Sequence, residues 1–92
     1  MIVVSHIINN LKVYANGTNA NTFNNIPSGY IPISAYCAFV IPANIYYRLD
    51  GILGSTRIVF KNMSSNDETL NGTVYILCKK NQNDKFHISN KM

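Results

Sequence analysis

General acid and base catalysis needs carboxylates that converge. The chain holds four: Asp50, Asp67, Glu68 and Asp84. Each lies in or beside a turn signal, where acidic side chains normally shape the backbone. The sequence also contains no Gly-rich phosphate loop, no CxxC pair and no Ser/His/Asp pattern. We therefore expect a protein without catalytic activity and without a cofactor.

The histidines and cysteines could bind a metal or form a disulfide. His6 and His87 stand in the first and last predicted strands, which could pair edge to edge. Two imidazoles without a third ligand make a poor metal site, so we expect no metal. Cys37 and Cys78 lie in apolar runs, and in a reducing compartment such residues are most often buried free thiols. A disulfide is the alternative, and it requires Cα atoms less than about 7 Å apart.

Composition indicates a small domain with little surface charge. Of the 92 residues, 47% are hydrophobic and 13% are charged, whereas roughly 25% are charged in an ordinary soluble domain. A chain this short buries a small core, and a surface poor in charge is one that other subunits can cover. Asparagine is abundant, and we attribute this excess to A/T-rich codons.

The net charge of +4 is spread along the chain, and only Lys79, Lys80 and Lys85 approach a cluster.

The first eight residues, MIVVSHII, are apolar but have no basic flank and are shorter than a signal sequence or a membrane span. We therefore expect a protein made in a cytoplasm, without membrane insertion.

Alternation of apolar and polar residues between turn signals predicts an all-β fold. Strands are expected near residues 1–8, 11–15, 30–41, 44–50, 56–61, 72–80 and 85–88. Asn16-Gly17, Asp50-Gly51 and Asn71-Gly72 are typical tight turns, and residues 16–29 should form a long loop or arm. About seven short strands in one domain spanning residues 1–92 are typical of a small antiparallel β-sandwich, of jelly-roll or Ig-like type.

The same alternation assigns the faces of the strands. In residues 30–41 the expected core side chains are Ile31, Ile33, Ala35, Cys37, Phe39 and Ile41. In residues 44–50 they are Ile45, Tyr47 and Leu49, and in NGTVYILCKK (71–80) they are Val74, Ile76 and Cys78.

The strand at 72–80 is apolar on both sides, so its outward side is covered either by the long loop of the chain or by a neighbouring molecule. Tyrosine and arginine are enriched where proteins meet, which favours contact. The candidate contact residues are Tyr36, Tyr46, Arg48, Tyr75 and Leu77.

Two further binding functions stay open. A basic β-barrel can stack bases on aromatic side chains, and Tyr46 with Arg48, or Tyr75 with Lys79, approaches that arrangement. A lectin-like module could use an exposed tyrosine as a platform for a sugar. Neither has a diagnostic motif, and nucleic acid is not the expected partner.

Three segments, IPSGYIPISAYCAF, VFKNMSS and GTVYILCKK, resemble the small β-sandwich domains at the C-terminal tips of tailed-bacteriophage fibres and in related virion surface proteins. Such domains have a Gly-Tyr-x-Pro entry into a long strand, an Asn-containing turn after a central strand, and a last strand of the form V-x-(I/V)-L-(Y/C)-x-K. The resemblance covers about residues 26–80. The matching positions are Gly29, Tyr30, Pro32, Asn62, Val74, Ile76, Leu77, Cys78 and Lys80.

The resemblance implies a non-enzymatic virion protein on the exterior of the particle, commonly a trimer. Its expected partners are its own copies, with a trimer favoured, and other virion proteins. A fibre tip normally ends a longer chain with a shaft, whereas this sequence begins with Met1, which favours an auxiliary or capsid decoration protein over a receptor-binding tip. A start-codon-bearing fragment of such a fibre stays open as the alternative. The alternative function is a receptor-binding tip for a host glycan or protein, and the third is a basic nucleic-acid-binding barrel.

Overall fold

A computed structural model describes residues 1–51 and 56–81 of the chain, and these residues form strands and connections without a helix. The strands are β1 (Ile2–Val13), β2 (Thr18–Phe23), β3 (Tyr30–Cys37), β4 (Ile45–Asp50), β5 (Thr56–Asn62) and β6 (Glu68–Lys80). The predicted all-β class is confirmed. The described residues hold six strands where about seven were expected, and the segment 85–88 lies outside them.

The strands form two three-stranded antiparallel sheets. Sheet A has the order β1-β6-β3 and sheet B has the order β2-β5-β4. The segment GTVYILCKK therefore belongs to a central strand, because β6 is paired along both of its edges. This position explains why its side chains at 74, 76 and 78 are all fully buried.

The inward sides of both sheets contribute to one hydrophobic cluster. Its buried members are Ile8, Val13, Phe23, Cys37, Ile45, Ile58, Phe60, Leu70, Val74, Ile76 and Cys78. Tyr47 and Leu49 pack against this cluster, as the alternation in β4 predicts. The predicted inward faces of β4 and β6 are confirmed.

Strand β1 joins two segments that the sequence predicts as separate strands. Its register against β6 shifts between Ile8 and Leu11, and Asn10 has a φ of 54°. An extra residue of this kind is a β-bulge, which moves the inward side chains from even to odd positions without ending the strand. The amide of Asn10 donates to Oδ1 of Asn71 at 2.7 Å, which fixes the bulge to β6.

The prediction of a turn at Asn71-Gly72 is wrong, because both residues lie inside β6. Gly72 has a φ of 151°, and a Cβ at this position would lie 2.3 Å from Cδ1 of Phe39. Glycine is needed here because the aromatic ring packs directly on the backbone. By contrast, Asn16 and Gly51 have positive φ just after β1 and β4, as turns require.

The predicted long loop is also wrong in part, since residues 18–23 form β2. The sequence TNANTF is mostly polar, and its two asparagines and its alanine are depleted in strands. Its strand forms because it pairs with β5 along its whole length and buries Phe23 in the core. Residues 24–29 remain a connection between β2 and β3.

Strand β3 ends at Cys37, earlier than predicted, and its register shifts between Pro32 and Ser34. The shift corrects three face assignments, two of which are that Pro32 is buried and Ile33 is exposed. Ile31 pairs with Lys79 on the outward side of β6, so it does not belong to the core face. From Ala35 onward the prediction is confirmed, since Ala35, Phe39 and Ile41 all pack against the core.

One buried polar residue connects the loops at one end of the molecule. Asn62 is fully buried, and its Nδ2 donates to the carbonyls of Val13 at 3.0 Å and Asn66 at 2.8 Å. Its Oδ1 accepts from the amide and hydroxyl of Ser64. Every polar atom of the amide is paired, as burial requires.

We expect Gly72→Ala to destabilise the protein by about 2–4 kcal/mol, because it combines backbone strain with a clash against Phe39. Gly29→Ala is the matched control: Gly29 has a φ of 85°, and a Cβ added there would meet nothing within 4 Å, so only strain of about 1–2 kcal/mol applies. Chemical denaturation measures both values. Combining Gly72→Ala with Phe39→Ala should give a total below the sum of the two effects; equal losses for the two glycine variants would contradict the clash.

Candidate binding surfaces

The five predicted contact residues do not form one surface. Tyr36, Tyr75 and Leu77 lie on the outward side of sheet A, whereas Tyr46 and Arg48 lie on the outward side of sheet B. Because the shared core lies between the inward sides of the sheets, the two groups point in opposite directions. The chain therefore has two candidate binding surfaces with different chemistry.

The first surface, the apolar face, consists of Val3, Ile7, Tyr36, Tyr75 and Leu77. The strand register aligns them in rows: Val3 lies opposite Leu77, and Tyr75 lies opposite Tyr36. Side chains opposite each other on antiparallel strands have Cβ atoms about 5 Å apart. The rows therefore form a continuous patch.

Exposure shows that the described residues leave this patch largely uncovered. Ile7 is 72% exposed, Tyr36 63% and Val3 61%. Alternation in β6 predicts the outward position of Tyr75 and Leu77, but Val3 and Ile7 were missed as contact residues. MIVVSHII is apolar at nearly every position, so its sequence does not show which side chains face outward. The pairing of β1 with β6 places Val3 and Ile7 on the outward side.

The apolar face carries no charged side chain between its two ends. Lys79 lies beyond Leu77 toward one end of β6, and Lys12 lies beyond the bulge at the other end of β1. Ser5, Ser34 and Thr73 are the polar residues within the patch, and all three are neutral. Contact through this face therefore requires no ionic group to be desolvated.

The second surface is the basic pocket, a shallow open site of about 150 Å³ on the outward side of sheet B. It is lined by Tyr46, Tyr47, Arg48, Val59 and Lys61. The register places Tyr46 opposite Lys61 and Arg48 opposite Val59. The alternation in the sequence indicates Tyr46 and Arg48 but not Lys61, because the proximity of Lys61 to them depends on the pairing of β4 with β5.

The cationic side chains around this pocket have different hydrogen-bond and ion-pair partners. Nη2 of Arg57 contacts Oδ2 of Asp50 at 3.0 Å. The amide of Gly51 and then the guanidinium of Arg57 lower the pKa of Asp50. Nζ of Lys61 donates to the carbonyl of Asn16 at 3.1 Å, which positions the ammonium beside the pocket. Within the described chain, Arg48 forms no ion pair.

His6 has a structural environment. Its Nε2 is hydrogen-bonded to Oδ1 of Asn21, and its ring packs edge-on against Phe23 with centroids 4.5 Å apart. These contacts join β1 in sheet A to β2 in sheet B. In residues 1–51 and 56–81, no group of three His, Cys, Asp or Glu side chains could hold a metal ion. His87 and Asp84 lie outside the described residues.

Both cysteines are free and buried, as expected. Cys37 lies opposite Val74 and Cys78 opposite Pro32, so four residues of β6, about 13 Å of strand, separate their positions. This separation exceeds the reach of a disulfide. Burial raises the pKa of Cys37 to about 11 although its contact with Tyr47 lowers it, and burial also raises the pKa of Cys78.

No protein-family model, no curated protein and no solved structure matches this chain. The resemblance to phage surface domains therefore rests on the sequence motifs alone. In the part of the chain that the structure describes, no helix is long and apolar enough to cross a membrane.

We expect both thiols of the folded protein to resist a disulfide reagent such as DTNB at pH 8, because neither thiol is accessible and both have raised pKa values. Both should react in denaturant. Since the pKa of Cys37 rises from 9.0 to about 11 on folding, its contribution to stability is fully present below pH 9 and is lost as the pH rises toward 11. Val40→Cys, at a position that is 92% exposed, is the reactive control; rapid native labelling of the unsubstituted chain would contradict the buried positions.

Proposed function

We propose that this chain is a non-catalytic structural protein that works by contact, and that its copies associate through the apolar face of sheet A. Following the sequence resemblance, it acts on the exterior of a tailed-bacteriophage particle, as a capsid decoration protein or a fibre-associated module. One observation carries the proposal. The apolar side chains of this face lie opposite each other in rows, carry no charge and are exposed.

Charge favours a second copy of the chain as the occupant of this face. Each copy has a net charge of +4, so two copies repel each other, and this repulsion is smallest where the facing surfaces carry no charge. The apolar face provides such a region, with Lys12 and Lys79 at its ends. Tyrosine and aliphatic side chains at its centre are typical of the buried part of an interface. The resemblance favours a trimer.

The strand order supports a jelly-roll sandwich as the finer description of the fold. In an eight-stranded jelly roll two sheets stack face to face, and the first strand pairs with the last. Removing the fifth and sixth strands from that arrangement leaves the orders β1-β6-β3 and β2-β5-β4, which are the orders found here. The single core between the sheets supports the same interpretation.

We expect Tyr75→Asp combined with Leu77→Asp to abolish self-association, because two carboxylates would be desolvated in the interface. Analytical ultracentrifugation should show a dissociation constant raised by at least about tenfold. Tyr46→Asp, on the opposite sheet and 61% exposed, is the control and should associate normally.

Leu77 is half-buried, so a second variant separates association from folding. Val3→Asp with Tyr36→Asp changes side chains that are 61% and 63% exposed and flank β6 on either side. This variant should keep the wild-type melting temperature and still fail to associate. Association at wild-type affinity by either folded variant excludes the apolar face as the interface.

The virion location has its own test. Mass spectrometry of purified particles from a phage that encodes this chain should detect it as a structural component. Hundreds of copies per particle would identify a shell protein, and a few dozen or fewer would identify a fibre component. Its absence from particles, with the chain present in the infected cell, would refute the virion role and leave the self-association result standing.

A further inference from the structure

We propose that the basic pocket of sheet B binds one acidic sugar residue of a surface glycan. Four outward side chains form the site: Tyr46 and Arg48 from β4, and Val59 and Lys61 from β5. This site lies on the sheet opposite the apolar face, so it does not depend on the proposed self-association.

The register gives the geometry of the pocket. Tyr46 and Arg48 are two residues apart on one strand, as are Val59 and Lys61 on its neighbour, and each pair lies opposite the other. Opposite Cβ atoms are about 5 Å apart, and residues two apart on a strand are about 7 Å apart. The four side chains therefore stand at the corners of a small rectangle, with each cation diagonal to the other.

This arrangement matches a ring that carries one anionic group. The exposed ring of Tyr46 provides a flat surface against which the C–H face of a sugar can pack, and Val59 adds apolar contact beside it. Arg48 can bind a carboxylate through two parallel N–H groups. Lys61 uses one of its three N–H groups on the carbonyl of Asn16, which leaves two for a ligand.

The available charge limits the ligand to a single anion. Arg57, on the same outward side, is occupied by Asp50 at 3.0 Å. Among the described residues of this side, Arg48 and Lys61 are the cations without an ion-pair partner, although the charge of Arg48 also acts on Asp50 two residues away. A polynucleotide needs cations along a track of successive phosphates and several stacking rings, whereas this pocket has one tyrosine at its rim and one exposed cation pair.

The volume of the pocket also favours a small ligand. About 150 Å³ is less than the roughly 300–1,000 Å³ of sites for drug-sized ligands. One sugar ring with its carboxylate fits such a site, and longer glycans would continue across the outward side of sheet B. Thr18, opposite Lys61 on β2, offers an exposed hydroxyl in that direction.

The experiment is a titration of the ¹⁵N-labelled chain with sodium glucuronate, with the neutral methyl glucoside as a parallel probe. We expect amide shifts confined to β4 and β5 around residues 46–48 and 59–61, with a dissociation constant of the order of 1 mM. Methyl glucoside should bind at least about fivefold more weakly, because it lacks the carboxylate that Arg48 and Lys61 pair with.

Two variants with matched controls test the assigned roles. Arg48→Gln should weaken glucuronate binding about tenfold, whereas Lys12→Gln removes the same charge from sheet A and should leave it unchanged. Tyr46→Ser should weaken both glucuronate and methyl glucoside, whereas Tyr14→Ser, at a tyrosine that is 63% exposed against 61% for Tyr46, should weaken neither.

Several results would overturn the proposal. Absence of amide shifts in β4 and β5 would exclude a sugar site. If Lys12→Gln weakened glucuronate binding as much as Arg48→Gln, the binding would be a general attraction by the net charge of the protein. A single-stranded oligodeoxynucleotide is the competing probe. If it binds the same residues far more tightly than glucuronate, with affinity that falls steeply as salt rises, the surface is a nucleic-acid site.

Discussion

The structure depends on the pairing of β6 with both of its neighbours. This strand of 13 residues holds β1 and β3 in one sheet, and its inward side chains at 70, 74, 76 and 78 lie in the core. Because side chains alternate along a strand, the same residues that bury one side oblige Tyr75 and Leu77 to face outward. Gly72 allows the strand to pass beneath Phe39 without interruption. The core and the candidate contact surface are thus two consequences of the uninterrupted alternation of side chains along β6.

Asparagines protect the parts of the backbone that pairing leaves open. β1 is an edge strand, and its free carbonyl groups invite pairing with another chain. Nδ2 of Asn25 donates to the carbonyl of Ser5, and Nδ2 of Asn19 donates to the carbonyl of Lys12, each at 2.7 Å. These residues have structural roles that an explanation from codon usage alone overlooks. With the carbonyls of Ser5 and Lys12 already bonded, the pairing of another strand along this edge is disfavoured at those two positions.

Sequence alternation predicted the faces of β4 and of β6 after Gly72, because neither strand carries a bulge. It failed at Asn10 and Ile33, because a bulge changes which side chains face inward and leaves little local signal. It failed for β2 because TNANTF becomes a strand through pairing with β5 rather than through its own propensity. The basic pocket could be half predicted, since Lys61 joins Tyr46 only through a pairing that one sequence does not reveal.

The two surfaces are separate because the two sheets share one core. A three-stranded sheet has one inward and one outward side, so two sheets that share a core must place their outward sides on opposite surfaces. Sheet A then presents uncharged apolar rows, and sheet B presents Arg48 and Lys61. Contact through sheet A would bury no cation of the pocket. A chain this small could therefore hold its copies together and still recognise an anionic ligand.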